Sequence, residues 1–231
     1  MFAFRERREG DPDRSTVEVA FTDSTLDLQG TRPGFGAALG AVVEASGVGF
    51  ARMNQVHGVA VHVVDAVHAD PDASLPTADA MVTTTVGVGL MVRVADCVPI
   101  LLADASAGVV SAVHAGRGGM SLDIATLTVE QMAARGATDI EAWIGPHVCG
   151  RCYEVPEAMR DEVSRSVPES YSTTSWGTPA LDIGAGVAAQ LERAGVAVNL
   201  VDGCTLEQDR FHSFRRDGAA SGRMAGLVWL A

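Results

Sequence analysis

Three apolar runs in the middle of the chain, separated by short polar breaks, constrain its fold more than any other feature. Residues 89–94, 99–103 and 109–113 each have the length and aliphatic content of a buried strand. Arg93, Asp96 and Asp104 interrupt the stretch, so it does not read as a membrane span. The segment therefore predicts a block of consecutive strands.

The rest of the chain adds strands and a smaller number of helices. Strands are predicted at 17–22, 59–64, 80–84, 140–144 and 196–201, and helices at 36–45, 122–135, 157–167 and 183–194. Ser121 is the expected N-cap of the second helix, and Gly136 its C-terminal glycine. Strands in blocks with clustered helices favour an α+β fold over a doubly wound parallel sheet. We expect one domain over 1–231, with 71–76 as a surface loop.

Composition excludes several classes of function. A net charge of −12 argues against a protein that binds the nucleic-acid backbone. All 17 basic residues are Arg, so Schiff-base chemistry and the Walker A lysine are excluded, and any phosphate must be held by Arg or by backbone amides. The first residues contain no signal-peptide pattern, so we expect a cytoplasmic location and no membrane partner.

Three potential metal ligands stand at the edges of strand-like runs: His57 in N-Q-V-H-G, Cys97 in A-D-C-V-P and His114 in A-V-H-A-G. Two imidazoles and one thiolate form a zinc-binding set that leaves a fourth position for water or substrate, as in catalytic sites. The alternatives are an ordinary loop histidine at His57 and a buried structural cysteine at Cys97.

Neighbouring residues suggest supporting roles. Asp96 is an ionisable group between two apolar strands, and its carboxylate is placed to orient a ligand imidazole. Arg117 lies in a glycine-rich turn that opens a predicted helix, a pattern typical of an anion site. Arg215 and Arg216, near the C-terminus, form either an anion clamp or a solvated charged turn.

The remaining cysteines carry a weaker signal. We expect all four to be reduced. Cys149 and Cys152 form a C-x-x-C without the second pair that a zinc ribbon needs, and we interpret them as ordinary cysteines in a turn, with a redox pair as the alternative. No His is followed two residues later by Glu, which excludes a zinc cytidine deaminase.

In series, these motifs resemble the YfiH family, also called laccase-domain or polyphenol-oxidase-like proteins and purine nucleoside phosphorylases. The resemblance runs from residue 52 to the C-terminus and includes N-Q-V-H-G, A-D-C-x-P-I-L-L-x-D, A-V-H-A-G, C-Y-E-V and F-x-S-F-R-R-D-G-x-x-S-G-R. It implies a layered α/β/β/α sandwich with mixed sheets and zinc held by His57, Cys97 and His114. It also implies phosphorolysis of adenosine, inosine, guanosine and methylthioadenosine, and deamination of adenosine.

Two departures from the family pattern flank the expected site. The family's A-G-W-R-G is replaced by A-G-R-G-G, so the tryptophan is absent and Arg117 is displaced by one position. The family's N-terminal Thr-Arg and glycine-rich loop should follow the strand 17–22, where this chain is shortened.

The leading hypothesis is a zinc-dependent purine nucleoside phosphorylase and adenosine deaminase, monomeric or weakly oligomeric, that binds nucleoside and phosphate. Arg117, Arg215 or Arg216 would hold the phosphate, and Asp96 or Glu154 would carry protons or support the metal ligands. The alternatives are a copper-dependent polyphenol oxidase, a Cys–His hydrolase, a peptidoglycan-editing factor and a zinc-stabilised interaction module.

Overall fold

The computed structural model describes residues 1–10, 16–67 and 74–231. The strands are β1 (Phe2–Arg8), β2 (Val17–Thr22), β3 (Gly49–Ala51), β4 (Val61–Val63), β5 (Ala80–Thr83), β6 (Val88–Val94), β7 (Val98–Asp104), β8 (Val109–Ala115), β9 (Glu141–Ile144), β10 (Tyr171–Thr173), β11 (Pro179–Leu181), β12 (Ala197–Leu200) and β13 (Met224–Leu230). The helices are α1 (Phe35–Ser46), α2 (Arg117–Ser121), α3 (Ile124–Ala133), α4 (Glu157–Ser166), α5 (Ile183–Arg193) and α6 (Phe214–Asp217). Short 3-10 turns occupy Pro168–Ser170 and Gly218–Ala220.

Two mixed sheets form the centre of the fold. The first has the strand order β1-β2-β13-β6-β3, and the second has the order β12-β9-β7-β8-β5-β4. Three pairs are parallel, namely β3 with β6, β4 with β5 and β9 with β12, and the other pairs in these sheets are antiparallel. The strands β10 and β11 form a separate antiparallel hairpin.

The sheets pack face to face, and helices cover their outer faces. On β7, Leu101 joins the core between the two sheets, whereas Ile100 and Leu102 pack with residues of α3 and α5. The outer face of the first sheet packs against α1, where Val42 shares a cluster with Trp229. The predicted α/β/β/α layering is confirmed. Because the central strands are buried on both faces, their sequences read as continuous apolar runs.

The predicted strands and helices are present, with boundaries that shift by one or two residues in most cases. The segment 122–135 is an exception, because α2 and α3 meet at Asp123. Asp123 has a positive φ of 58°, and its side chain accepts a hydrogen bond from Thr126 N at 3.3 Å. Asp123 is therefore the N-cap of α3, and the assignment of Ser121 was wrong. Of the predicted surface loop, residues 71–73 lie outside the described residues.

The antiparallel pairing of β7 and β8 determines where the candidate site lies. Pro99 pairs with His114, so Cys97 and His114 reach the same edge of the second sheet. Ala80 of β5 pairs with Val113, and this pairing brings Asp79, the residue before β5, to the same edge. Within the described ranges, no helix has the length and apolar character needed to cross a membrane.

Candidate active site

The three residues singled out as metal ligands converge. The ligand atoms of His57, Cys97 and His114 all lie within 4.8 Å of one another. His57 Nε2 is 3.7 Å from Cys97 Sγ, and the two imidazole rings meet edge to face with centroids 4.8 Å apart. His114 is buried, Cys97 is half-buried and His57 is exposed. The cluster is thus closed by protein on one side and open to solvent on the other.

The glycines after β8 leave the space that these ligands occupy. A Cβ atom on Gly116 would lie 2.5 Å from His57 Cδ2 and 3.2 Å from Cys97 Sγ. A Cβ atom on Gly118 would lie 3.0 Å from the carbonyl oxygen of His57. The glycines of this turn are therefore needed for close packing around the candidate ligands, and an anion site in the turn stays a prediction.

Asp79, which the sequence analysis missed, supports the ligands. It is fully buried, and its carboxylate accepts hydrogen bonds from His57 N at 2.9 Å and Gly58 N at 2.7 Å. Its Oδ1 also lies 2.8 Å from His114 Nδ1. We place a proton on Nδ1 of His114, which donates it to Asp79, so Nε2 is the ring nitrogen that faces the thiol of Cys97. The available signal was an acidic residue just before the predicted strand 80–84.

Asp79 is ionised at any physiological pH. Burial opposes its ionisation, but hydrogen bonds from His114, Gly58 and His57 outweigh burial and lower the pKa of Asp79 to about 2. The same hydrogen bonds hold His57 in the left-handed region, at φ 63°. Asp79 therefore fixes both the histidine loop and the orientation of the second imidazole.

The thiol and the buried imidazole polarise each other. Burial opposes the thiolate of Cys97, but His114 and His57 outweigh it and lower the pKa of Cys97 to about 6. Burial likewise opposes the imidazolium of His114, but Asp79 and Cys97 raise the pKa of His114 to about 9. In the absence of metal, a thiolate therefore faces an imidazolium at neutral pH. A divalent cation would replace the proton on Nε2 of His114 and leave the proton on Nδ1 in place.

Asp96 and Glu154 have other partners than expected. The carboxylate of Asp96 accepts hydrogen bonds from Thr205 Oγ1 and Arg215 N, both at 2.7 Å. It therefore holds the loop after β12, and the role of orienting an imidazole belongs to Asp79. Glu154 is exposed and accepts a hydrogen bond from Trp176 Nε1 at 2.8 Å.

The three arginines expected at the phosphate divide into two kinds. Arg117 lines one cavity and Arg215 lines another, and Cys97 is part of the lining of both. Arg216 has a structural role, because it donates hydrogen bonds to the carbonyl oxygens of Thr205 at 2.9 Å and Phe211 at 2.8 Å. Its guanidinium also forms an ion pair with Asp217.

Two cavities beside the ligand cluster share His57, Arg93 and Arg223. One, of about 410 Å³, has an aromatic lining that includes Tyr153 and Phe214. The other, of about 510 Å³, is lined by polar residues and by Arg52, Arg93 and Arg223. Both volumes suit a small-molecule ligand. We call them the aromatic cavity and the arginine cavity.

The arginine cavity concentrates positive charge in an acidic protein. Neither Arg93 nor Arg223 forms an ion pair among the described residues. Arg93 Nη2 donates to the carbonyl oxygen of Met53 at 3.2 Å, whereas its buried Nε has no partner within those residues. Burial, together with the charges of Arg52 and Arg223, lowers the pKa of Arg93. A bound anion would relieve this repulsion. In the sequence, Arg93 stands out only as a break in an apolar run.

Comparisons with known proteins agree with this fold. The family model for multi-copper polyphenol oxidoreductase laccase matches residues 22–231. A protein named purine nucleoside phosphorylase ORF3, from Streptomyces griseus, is 52% identical over 181 residues, or 77% of this chain and 73% of that protein. Purine nucleoside phosphorylase SCO2081 of Streptomyces coelicolor is 52% identical over 183 residues, or 77% of this chain and 74% of that protein. The crystal structure of YlmD from Geobacillus stearothermophilus superposes with a TM-score of 0.83 at 26% identity, covering 96% of this chain and 98% of that one.

Proposed function

This chain belongs to the laccase-like family of YfiH-type proteins, and we propose that it is a zinc-dependent purine nucleoside phosphorylase that also deaminates adenosine. The proposed substrates are adenosine, inosine, guanosine and methylthioadenosine, with inorganic phosphate. The names of the Streptomyces relatives support the phosphorylase activity. The structural support for the phosphorylase activity comes from the two cavities that meet at His57.

The single observation that carries the proposal is this meeting of two cavities that are both lined by Arg93 and Arg223, one of which is also lined by aromatic rings. Tyr153 and Phe214 line one cavity with aromatic rings, and a guanidinium lies over each ring, that of Arg215 at 4.6 Å and that of Arg223 at 5.8 Å. Phe214 is 52% exposed, so we propose that a purine base stacks on the rest of its ring surface. Arg93 and Arg223 offer charged donors to phosphate. In phosphorolysis the bond from ribose C1′ to purine N9 breaks and a bond from C1′ to a phosphate oxygen forms. The ribose would therefore span the boundary at His57.

The ligand cluster fits zinc. Two imidazole nitrogens and one thiolate sulfur match its preferred donors, and the exposed side leaves a fourth position open. When bound, zinc supplies a Lewis acid, which serves both phosphorolysis and hydrolytic deamination. The protein contributes the rest. Asp79 keeps the proton of His114 on Nδ1, and Gly116 keeps the space beside His57 and Cys97 clear.

The direct test is to incubate metal-replete protein with inorganic phosphate and, one at a time, adenosine, inosine, guanosine or methylthioadenosine. We expect free base and the corresponding sugar 1-phosphate in equal amounts. Arg93→Gln should raise the KM for phosphate roughly 10- to 100-fold, the value of a lost hydrogen bond to a charged group. Arg165→Gln changes an exposed residue of α4 and serves as the matched control. Failure to release base from any of the four nucleosides would refute the proposed phosphorylase.

Deamination is tested separately with adenosine in phosphate-free buffer. We expect inosine and ammonia, and we expect a chelator to abolish both activities together. Adenosine that stays intact in this buffer, with neither inosine nor ammonia released, would reject this part of the proposal and leave phosphorolysis alone.

A multi-copper oxidase, although named in the family description, is less well supported. Within the described ranges, only two groups of three or more potential ligands come together. The second group has three cysteines and a carboxylate but no imidazole. A trinuclear copper cluster needs several more histidines than the first group contains. A blue absorption band after copper loading would revive this function.

One observation favours a Cys–His hydrolase as a second candidate. In the metal-free state the pKa of Cys97 is about 6, and His57 Nε2 lies 3.7 Å from the sulfur, so a nucleophilic thiolate is available. Such a hydrolase would gain activity when metal is removed, because the sulfur is then free. Loss of activity with a chelator would eliminate it.

A further inference from the structure

Three of the four cysteines lie together at the edge of the second sheet where β9 and β12 end. These strands are parallel neighbours, so the segments that follow them leave the sheet at the same edge. A bridge between His147 and Cys204 continues the pairing beyond the strands. The fold thereby brings the C-x-x-C of Cys149 and Cys152 against a cysteine distant in sequence.

The geometry of this group is that of a coordination site. Ligand atoms of Cys149, Cys152, Cys204 and Glu207 all lie within 4.8 Å of one another. Cys149 N donates to Cys204 Sγ at 3.4 Å, and Cys152 Sγ donates to Glu207 Oε1 at 3.3 Å. All the thiols are free. Cys152 and Cys204 are buried, whereas Glu207 is exposed and closes the group from the solvent side.

We propose that Cys149, Cys152, Cys204 and Glu207 bind a second zinc ion, in a closed structural site distinct from the one at His57. Three thiolates and a carboxylate complete a tetrahedral zinc shell, with no position left for substrate. A disulfide would use two of the sulfurs and give no role to the carboxylate.

The second zinc would link the loop after β9 to the loop after β12, and both loops contribute to the surroundings of the aromatic cavity. Tyr153, directly after Cys152, lines the aromatic cavity. Thr205, directly after Cys204, donates the hydrogen bond that holds Asp96. Removal of this metal should therefore make the walls of the aromatic cavity less rigid, without removing any of the candidate ligands at His57, Cys97 and His114.

The sharpest test uses Cys97→Ser, which removes the only thiolate of the first site and leaves the second group intact. The variant is loaded with cobalt in place of zinc. We expect strong thiolate-to-cobalt charge-transfer absorption and the visible bands of tetrahedral cobalt, since any sulfur ligation must then come from the three-cysteine group. Absence of charge-transfer absorption would overturn the proposal. So would a disulfide within the group, detected by alkylation and mass spectrometry of the protein as it is isolated, before any metal is removed.

Metal content provides a second, independent readout. Wild-type protein should contain two zinc ions per chain, and Cys97→Ser should retain one. Glu207→Gln should weaken cobalt binding to the second site about tenfold or more, whereas Glu130→Gln, an exposed change on α3, should not. Equal cobalt affinity in both variants would show that Glu207 is not a ligand and would contradict the four-ligand site. Neither readout depends on nucleoside turnover, so the second site stands or falls separately from the proposed function.

Discussion

Replacement of Asp79 by Asn tests the support of the ligand cluster. An amide has the same shape, but it presents one acceptor oxygen where the carboxylate presents two. If the oxygen stays with His57 N and His114 Nδ1, the NH2 group faces the N–H of Gly58, which now lacks its 2.7 Å acceptor. The loss of a buried hydrogen bond to a charged group costs about 2–3 kcal/mol of unfolding free energy.

The pKa of Asp79 gives a second measure of the same contribution. Its shift from 3.8 to about 2, in a residue with no solvent exposure, corresponds to about 2 kcal/mol. Because the folded pKa is lowered, this stability is present above the unfolded value and is lost as the pH falls through about 2. The difference between wild type and Asp79→Asn should therefore be largest near neutrality and should shrink on acidification.

The assay is urea unfolding of the metal-free proteins as a function of pH, with zinc affinity measured by chelator competition. Zinc should bind Asp79→Asn roughly 10- to 100-fold more weakly, because His114 is no longer held. The matched control is Asp209→Asn, whose carboxylate is 99% exposed. Wild-type stability at neutral pH together with wild-type zinc affinity in Asp79→Asn would refute this reasoning.

Three further outcomes are expected. Gly116→Ala places a methyl group where the metal ligands lie and should weaken zinc binding at least about tenfold, whereas Gly36→Ala, which meets open space, should not. Phe214→Ala should raise nucleoside KM about tenfold through lost stacking, with zinc content unchanged. Metal-free stability should vary little above neutrality, because the loss from His114 as pH rises from 6.5 through about 9 offsets the gain from Cys97 between about 6 and 9.0. Cys97→Ser removes the gain from Cys97 and part of the rise in the pKa of His114, so its unfolding free energy should fall with pH above 6.5 by the part of that rise that Asp79 still causes.

Local pattern was sufficient to predict that the candidate ligands Cys97 and His114 come together. Cys97 lies just before β7 and His114 lies near the end of β8, so both are at the open end of one antiparallel hairpin. Their proximity therefore follows from two strand-like runs that are adjacent in sequence. The α+β class also followed from the sequence pattern, in which strands come in blocks and helices are clustered. The first strand, Phe2–Arg8, was missed because its last four residues are all charged and break the apolar pattern. One of them is held by a distant element, since Glu6 accepts a hydrogen bond from Trp143 Nε1.

The residues that the sequence analysis missed depend on pairings between distant segments. Asp79 meets His114 only because β5 pairs with β8 in a particular register. Arg93 and Arg223 share a cavity because β6 pairs with β13, a strand near the C-terminus that went unpredicted. Cys204 reaches the C-x-x-C through the parallel pairing of β9 and β12. Spacing along the chain contains none of this information.

Anomalous diffraction at the zinc edge, from crystals of protein purified without added metal, tests the central claim most directly. We predict a peak about 2.0–2.3 Å from His57 Nε2, Cys97 Sγ and His114 Nε2, with its fourth side toward the cavities. A map from zinc-loaded protein with no peak among these three atoms would contradict the account.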